Sequence, residues 1–326
     1  MKQVVFTALL LSGLTAAGQS LKPSDLAHTY SIVARDAKTG EMAVAVQSHW
    51  FSVGTAVSWA EAGVGAIATQ SFTNKSFGIR GLELLKQGKD AQAVLDELLS
   101  TDEGREVRQV AIVDNKGNVA AHTGKNCIRF ADHITGDQFS VQSNMMLNDK
   151  VNAAMVRAYK ANAGVPLAER VLAALNAAQA AGGDIRGKQS AAVLVVPGKS
   201  NKEPWNERTV DLRVDDHGDP LKELGRLLKV QQAYEHMNSG DLAVEINDMK
   251  KAMLEYGTAM KMQPKNLEMQ YWTAVTLANN NEVAKALPMF KKIFAADKNW
   301  KELTRRLPPV NLLTVSREDL ARILAQ

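Results

Sequence analysis

The run "SAAVLVVP", residues 190–197, is apolar at every position from Ala191 to Val196. A strand that is apolar on both faces has to be covered on both sides. Other segments point the same way. "TYSIVAR" and "EMAVAVQS" flank "DAKTG", where Asp36 and Gly40 suit a turn between paired strands, and "GVGAIATQS" reads as a third strand. "RQVAIVDNKGNVAAHTG" reads as a further hairpin about Asp114, Asn115 and Gly117, while "RTVDLRVDDH" alternates. Helix-period runs lie between them: "GIRGLELLKQG", "DAQAVLDELLS", "DKVNAAMVRAYKANAG" and "PLAERVLAALNAAQAAGG", several closed by the glycine that a helix end prefers. Strands that need cover on both sides, interleaved with helices able to supply it, predict an α+β layered sandwich.

After Pro220 the strand signals stop and the rest is helical. Ala252, Tyr256, Ala259 and Pro264 recur 34 residues on as Ala286, Phe290, Ile293 and Lys298. That spacing is the tetratricopeptide period. The repeat is degenerate, because Gln270 stands where a large aromatic is wanted, with Tyr271 and Trp272 displaced from it. One full unit, one distorted unit and a capping helix near "SREDLARILAQ" would suffice to bury a core. The sequence therefore divides into a sandwich over residues 20–228 and an all-helical, tetratricopeptide-like domain over residues 229–326.

The opening "MKQVVFTALLLSGLTAAGQS" has a charged Lys2, an apolar run from Val4 to Leu14 and small residues Ala16, Ala17 and Gly18, the pattern of an export signal over residues 1–19. The apolar run is about half of the ~20 residues that a membrane span needs, so the mature chain is expected outside the cytoplasm, periplasmic or extracellular, with no membrane anchor. A single cysteine, Cys127, rules out an intrachain disulfide. The net charge of +4 is spread along the chain, with no basic stripe and no interleaved aromatics, which argues against a nucleic-acid partner.

Three polar patches interrupt otherwise apolar strands, where a polar group is costly unless it is paired or used. The first, "VQSHWFSVGTAVSWAEAGVGAIATQSF", offers Ser48, His49, Thr69, Gln70 and Ser71. The second, "AAHTGKNC" with the later "VQSNMM", offers His122, Thr123, Cys127, Gln142 and Asn144. The third, "GGDIRGKQSAAVLVV", offers Asp184, Arg186, Gln189 and Ser190. Each also has a scaffold reading: Asp184 with Arg186 as a loop ion pair, Ser190 as a cap, His122 as a satisfied turn histidine and Cys127 as a structural thiol. Their clustering at strand ends, where layered proteins collect ligand sites, makes Ser48, His49, Thr69, Gln70, His122, Asn144, Asp184, Arg186, Gln189 and Ser190 candidates for binding a substrate. No metal or cofactor is expected, since His217 beside Asp215 and Asp216 matches no ligand spacing.

Taken in order, "TYSIVARDAKTGEMAVAVQS", "WAEAGVGAIATQSF", "GIRGLELL", "RQVAIVD", "AAHTG", "GGDIRGKQSAAVLVV" and "VDLRVDDH" resemble a bacterial domain family of unknown function with the fold of N-terminal-nucleophile (Ntn) hydrolases. The resemblance runs from about His28 to Leu228 and implies a four-layer αββα sandwich. It also places Thr29, at the head of the first strand, where such enzymes carry their nucleophile. That chemistry needs the residue's own α-amine as general base, so a cut between His28 and Thr29 is required beyond export cleavage. The expected function is an exported Ntn-type hydrolase, with Thr29 catalytic, acting on an amide-type bond of a small or peptide-like substrate. The alternative is a non-catalytic module that binds a ligand in the sandwich or a protein partner on the C-terminal helices, with Met260, Met262, Tyr271 and Trp272 as contacts.

Overall fold

The computed structural model describes residues 25–326, and the expected export signal lies outside the described residues. The strands in chain order are β1 (Asp25–Ala27), β2 (Thr29–Arg35), β3 (Met42–Ser48), β4 (Ser58–Glu61), β5 (Gly65–Thr73), β6 (Arg108–Asp114), β7 (Val119–Thr123), β8 (Asp132–Gly136), β9 (Phe139–Ser143), β10 (Ser190–Val196) and β11 (Val210–Val214). Helices of the first two thirds are α1 (Gly54–Val57), α2 (Ser76–Lys86), α3 (Ala91–Ser100), α4 (Val151–Ala161) and α5 (Leu167–Ala180). Those that follow are α6 (Pro220–Glu245), α7 (Met249–Met262), α8 (Leu267–Asn279), α9 (Val283–Ala296), α10 (Asn299–Arg306) and α11 (Arg317–Leu324).

Two antiparallel sheets stack face to face. The first has the order β1-β5-β6-β7, with β4 also paired to β5, and the second the order β11-β10-β3-β2-β9-β8. The apolar strand read from the sequence, β10, lies between β3 and β11 with every residue buried. Its odd positions Ala191, Val193 and Val195 join the cluster beneath α4, α5 and the start of α6, while Ala192, Leu194 and Val196 face the other sheet. The outer face of the first sheet is covered by α2 and α3 through Phe77, Leu82, Val94 and Leu98. The layers are therefore helix, sheet, sheet, helix.

Local chemistry sets the helix ends. Asp90 caps α3 by accepting from the Ala93 amide at 2.8 Å. Gly182 and Gly183 end α5 with φ of +127° and +60°, values that a side chain would strain. The charged turn that follows is thereby aimed back at the second sheet. Helix α6 runs unbroken, with Leu221, Leu224 and Leu228 against that sheet and Ala233, Met237 and Ala243 in the helical tail. In the tail, three of the four pairs 34 apart fall on α7 and α9, where Ala252, Tyr256, Ala259, Ala286, Phe290 and Ile293 are all fully buried, while Pro264 and Lys298 lie beyond the ends of these helices.

Candidate functional site

Strand alternation decides which side chains meet. On β2, Tyr30, Ile32 and Ala34 belong to the cluster under α4 and α5, so Thr29, Ser31 and Val33 face the first sheet. By the same rule Val44, Val46 and Ser48 on β3, Ala68 and Gln70 on β5, Gln109 and Ala111 on β6, and Ser140 and Gln142 on β9 face inward. The layer between the sheets consequently has an apolar end, with Val33, Val44, Ala66 and Val113, and a polar end. At the polar end Thr29, Ser31, Ser48, Gln70, Gln109, Gln142 and Asn144 have no solvent exposure.

A buried polar group left unpaired costs about 1–3 kcal/mol. Here the groups satisfy one another. Gln109 is the hub: its Oε1 accepts from Gln70 Nε2 at 2.6 Å and from Asn144 Nδ2 at 2.9 Å, and its Nε2 donates to the Ser143 carbonyl at 2.9 Å. Ser31 Oγ donates to Gln70 Oε1 at 2.6 Å, which links the two sheets. Ser71, Phe130 and Met145 stand about this end of the sandwich with left-handed φ of +70°, +28° and +59°. Strain of that kind is retained where the surroundings over-determine it, as at binding sites.

The peptide unit between His28 and Thr29 crosses from the first sheet to the second at this polar end. The His28 carbonyl oxygen accepts hydrogen bonds from Ser48 Oγ at 2.6 Å and from Arg186 Nη2 at 2.8 Å. The Thr29 carbonyl accepts from the Asn144 amide at 3.0 Å and from Gln70 Nε2 at 3.3 Å. Arg186 is aimed by a bidentate pair with Asp184, Nε to Oδ1 at 3.0 Å and Nη2 to Oδ2 at 2.7 Å. The Asp184 side chain is fully buried and that of Arg186 is 29% exposed. Asp184 also accepts from the Arg186 amide at 2.9 Å and the His49 amide at 3.2 Å.

His28 is buried, its Nδ1 2.8 Å from Asn144 Oδ1 and its ring edge-on to Phe72 at 5.7 Å. Burial lowers its pKa, against the hydrogen bond to Asn144, and the Arg186 charge adds to the lowering. His133 is lowered for the same first reason. Both rings are thus held neutral in the fold, so between the lowered values and the ordinary 6.5 the unfolded chain binds more protons. Their contribution to stability is fully present above 6.5 and is lost as pH falls through the folded pKa values. Thermal melts of the chain that still carries His28 are expected to show a lower melting temperature at about pH 5.5 than at about pH 7.5, with part of the slope removed in His133→Asn. Equal melting temperatures at the two pH values would contradict this account.

The remaining expected residues divide between the site and its surroundings. Ser190 faces the inter-sheet layer, but its Oγ accepts from the Val53 amide at 3.0 Å and donates to the Trp50 carbonyl, so it ties down the loop after β3. His49 is exposed and contributes only its backbone amide. Gln189 bonds Asp216 Oδ1 at 3.2 Å on the surface. Thr69 and His122 are not brought to the site, because each neighbours an inward-facing residue and so points to the outer face. There Thr69 Oγ1 donates to the Asn74 carbonyl at 3.3 Å and His122 Nε2 meets the Arg105 carbonyl at 2.9 Å. The structure adds His28, Ser31 and Gln109. Gln109, a lone amide in an apolar strand, and Ser31, two residues after Thr29, carried a readable signal; His28 carried none beyond adjacency.

Among the tail residues expected as contacts, Tyr271 is fully buried against Phe290 and Trp300, and Trp272, Met260 and Met262 pack on the helical core. A cavity of about 530 Å³ runs along β10 from Ala192 to Val196, lined also by Trp59, Glu61, Arg208, Asp211 and Arg213. Arg208 there is already paired with Asp211 at 2.7 Å. Among the described residues no group of three or more His, Cys, Asp or Glu is placed to hold a metal ion.

No curated protein matches the chain. A crystal structure of a Silicibacter pomeroyi protein of the DUF1028 family is 31% identical to it, covers 62% of this chain and 85% of its own, and superposes with a TM-score of 0.56. Residues 29–224 match the family described as "Family of unknown function (DUF1028)", and the chain belongs to that family.

Proposed function

We propose that the protein is an exported Ntn-type amidohydrolase, in which Thr29 becomes the nucleophile once the chain is cut between His28 and Thr29, and whose substrate is a small or peptide-like amide. The observation that carries this is the His28 carbonyl oxygen, held by Ser48 Oγ at 2.6 Å and Arg186 Nη2 at 2.8 Å. Two donors on one carbonyl oxygen, one of them charged, favour the negative charge that collects there when a nucleophile adds to the carbon. The hydroxyl best placed by covalent connection is that of Thr29. Its Oγ1 adds to the His28 carbonyl carbon, the carbon–nitrogen bond breaks, and the hydroxyl proton ends on the Thr29 nitrogen. The product is an ester of His28 on Thr29. Water then hydrolyses the ester, which releases a segment ending in a His28 carboxylic acid and leaves Thr29 with a hydroxyl and a free α-amine.

That α-amine, with an ordinary pKa of about 7.7–8.0, is a base near neutral pH and takes the Thr29 hydroxyl proton during attack on a substrate amide. Ser48 and Arg186 then serve the substrate's carbonyl oxygen as they served that of His28. The match to the family begins at Thr29 itself. Intact mass tests the reading. The wild-type chain and Thr29→Ser are expected to yield a species that starts at Thr29, whereas Thr29→Ala retains the residues before it. A wild-type chain recovered from the cell that exports it, with no fraction starting at Thr29, overturns the reading.

A further inference from the structure

We infer that the substrate is an extended peptide with histidine on the acyl side of the scissile bond, bound as an added strand on β5 and cut after that histidine. The inference rests on Thr29 being the nucleophile, and it names what that nucleophile acts on. Strand β1 pairs antiparallel with β5 in the register Asp25 with Thr73, Leu26 with Phe72 and Ala27 with Ser71. The rest of the same edge of β5 is taken by β4, from Ser58 opposite Ala68 to Glu61 opposite Gly65. Departure of the segment ending at His28 therefore bares the backbone of residues 71–73 only, a short run of edge amides and carbonyls beside the nucleophile.

Unpaired strand edges recruit extended chains, and strand addition is a recurring way to hold a peptide. The segment before Thr29 already occupies this edge and delivers its last carbonyl to Ser48 and Arg186. A substrate laid along the same track in the same register delivers its scissile carbonyl to the same two donors. The residue at that carbonyl enters the place of the His28 side chain, where Asn144 Oδ1 accepts from the ring nitrogen at 2.8 Å and Phe72 meets the ring edge-on. A fully buried amide acceptor and a partly buried aromatic wall select a neutral imidazole over a small apolar or acidic side chain. The pairing supplies affinity from about three residues of backbone, and the pocket supplies the choice of side chain.

Processed protein starting at Thr29 is assayed with the peptide Ser-Asp-Leu-Ala-His carrying a fluorogenic arylamide at its C-terminus. Two comparison substrates are the same peptide with glycine in place of histidine and acetyl-histidine arylamide without the preceding residues. A small β-lactone that acylates hydroxyls is used in parallel to titrate Thr29. The expected result is labelling of Thr29 by the lactone, hydrolysis of the full peptide, and a kcat/KM lower by about tenfold or more for each comparison substrate. In Phe72→Ala the preference for histidine over glycine is expected to shrink. Lactone labelling with equal rates on all three peptides, or with none cleaved, overturns the peptide inference and leaves the hydrolase standing. Absence of lactone labelling on a chain that starts at Thr29 overturns the hydrolase itself.

Discussion

Ser48→Ala and Arg186→Met are each expected to slow the appearance of the chain that starts at Thr29 by about 10²–10³-fold, the usual loss when one donor to a developing oxyanion is removed. The two side chains reach the His28 carbonyl oxygen from different elements, Ser48 from the last residue of β3 and Arg186 from the turn after α5. Neither can substitute for the other, since Ser48 offers a neutral hydroxyl and Arg186 a guanidinium fixed in direction by Asp184. Arg186→Lys keeps the charge but loses the planar fork that Asp184 holds, and its rate is expected to fall between those of wild type and Arg186→Met. The measurement is the time course of intact mass at one temperature, with a thermal melt of each variant to show that it is folded. Wild-type rates in folded Ser48→Ala and Arg186→Met would mean that these donors do not drive the cut.

The layered fold was legible because it follows from which faces must be covered, and Ala191 to Val196 state that demand within a few residues. The helical character of the tail was legible because the strand signals stop after Pro220, and the residues 34 apart from Ala252 to Ile293 are buried on α7 and α9. Pairing within the second sheet was not legible throughout. The hairpin of β8 and β9 passed unread, because "DHITG" is too short and too polar to announce a strand, and β9 is anchored to the sheet by β2, which is distant in sequence. Polar patches pointed to the right strand ends but could not separate one face from the other. Thr69 and Gln70 are adjacent, equally polar and fully buried, and only the register of β5 against β6 sends Gln70 inward and Thr69 out. The same one-residue ambiguity put His122 rather than its neighbour Thr123 among the binding candidates, although it is Thr123 Oγ1 that accepts from Gln109, at 2.9 Å. Nor could the sequence foretell that β1 joins one sheet and β2 the other, which is what exposes the His28 carbonyl to Ser48 and Arg186.

The second large effect is expected in stability, and it is unequal between the two members of the Asp184–Arg186 pair. Arg186→Met leaves the carboxylate of Asp184, whose side chain has no exposure, without its bidentate partner. Breaking a buried pair by removing one member costs about 3–5 kcal/mol. The lower end applies here, because the amides of His49 and of residue 186 itself still donate to that carboxylate. Asp184→Asn strands a guanidinium that is 29% exposed and can turn toward water, so the expected cost is the smaller figure of about 1–3 kcal/mol for an imperfectly satisfied group. The double variant Asp184→Asn with Arg186→Met carries no buried charge at this turn, and its loss is expected to fall short of the sum of the two singles by about 0.5–3 kcal/mol. Urea unfolding of the four proteins, all in the Thr29→Ala background so that none is cut during the measurement, gives the coupling directly. Strict additivity, or a larger loss for Asp184→Asn than for Arg186→Met, would show that burial of the carboxylate does not control the energetics of this pair. A coupling of the expected size would mean that one buried aspartate both stabilises the turn after α5 and fixes the guanidinium on the His28 carbonyl, so that stability and cutting fall together in Arg186→Met and separate in Ser48→Ala.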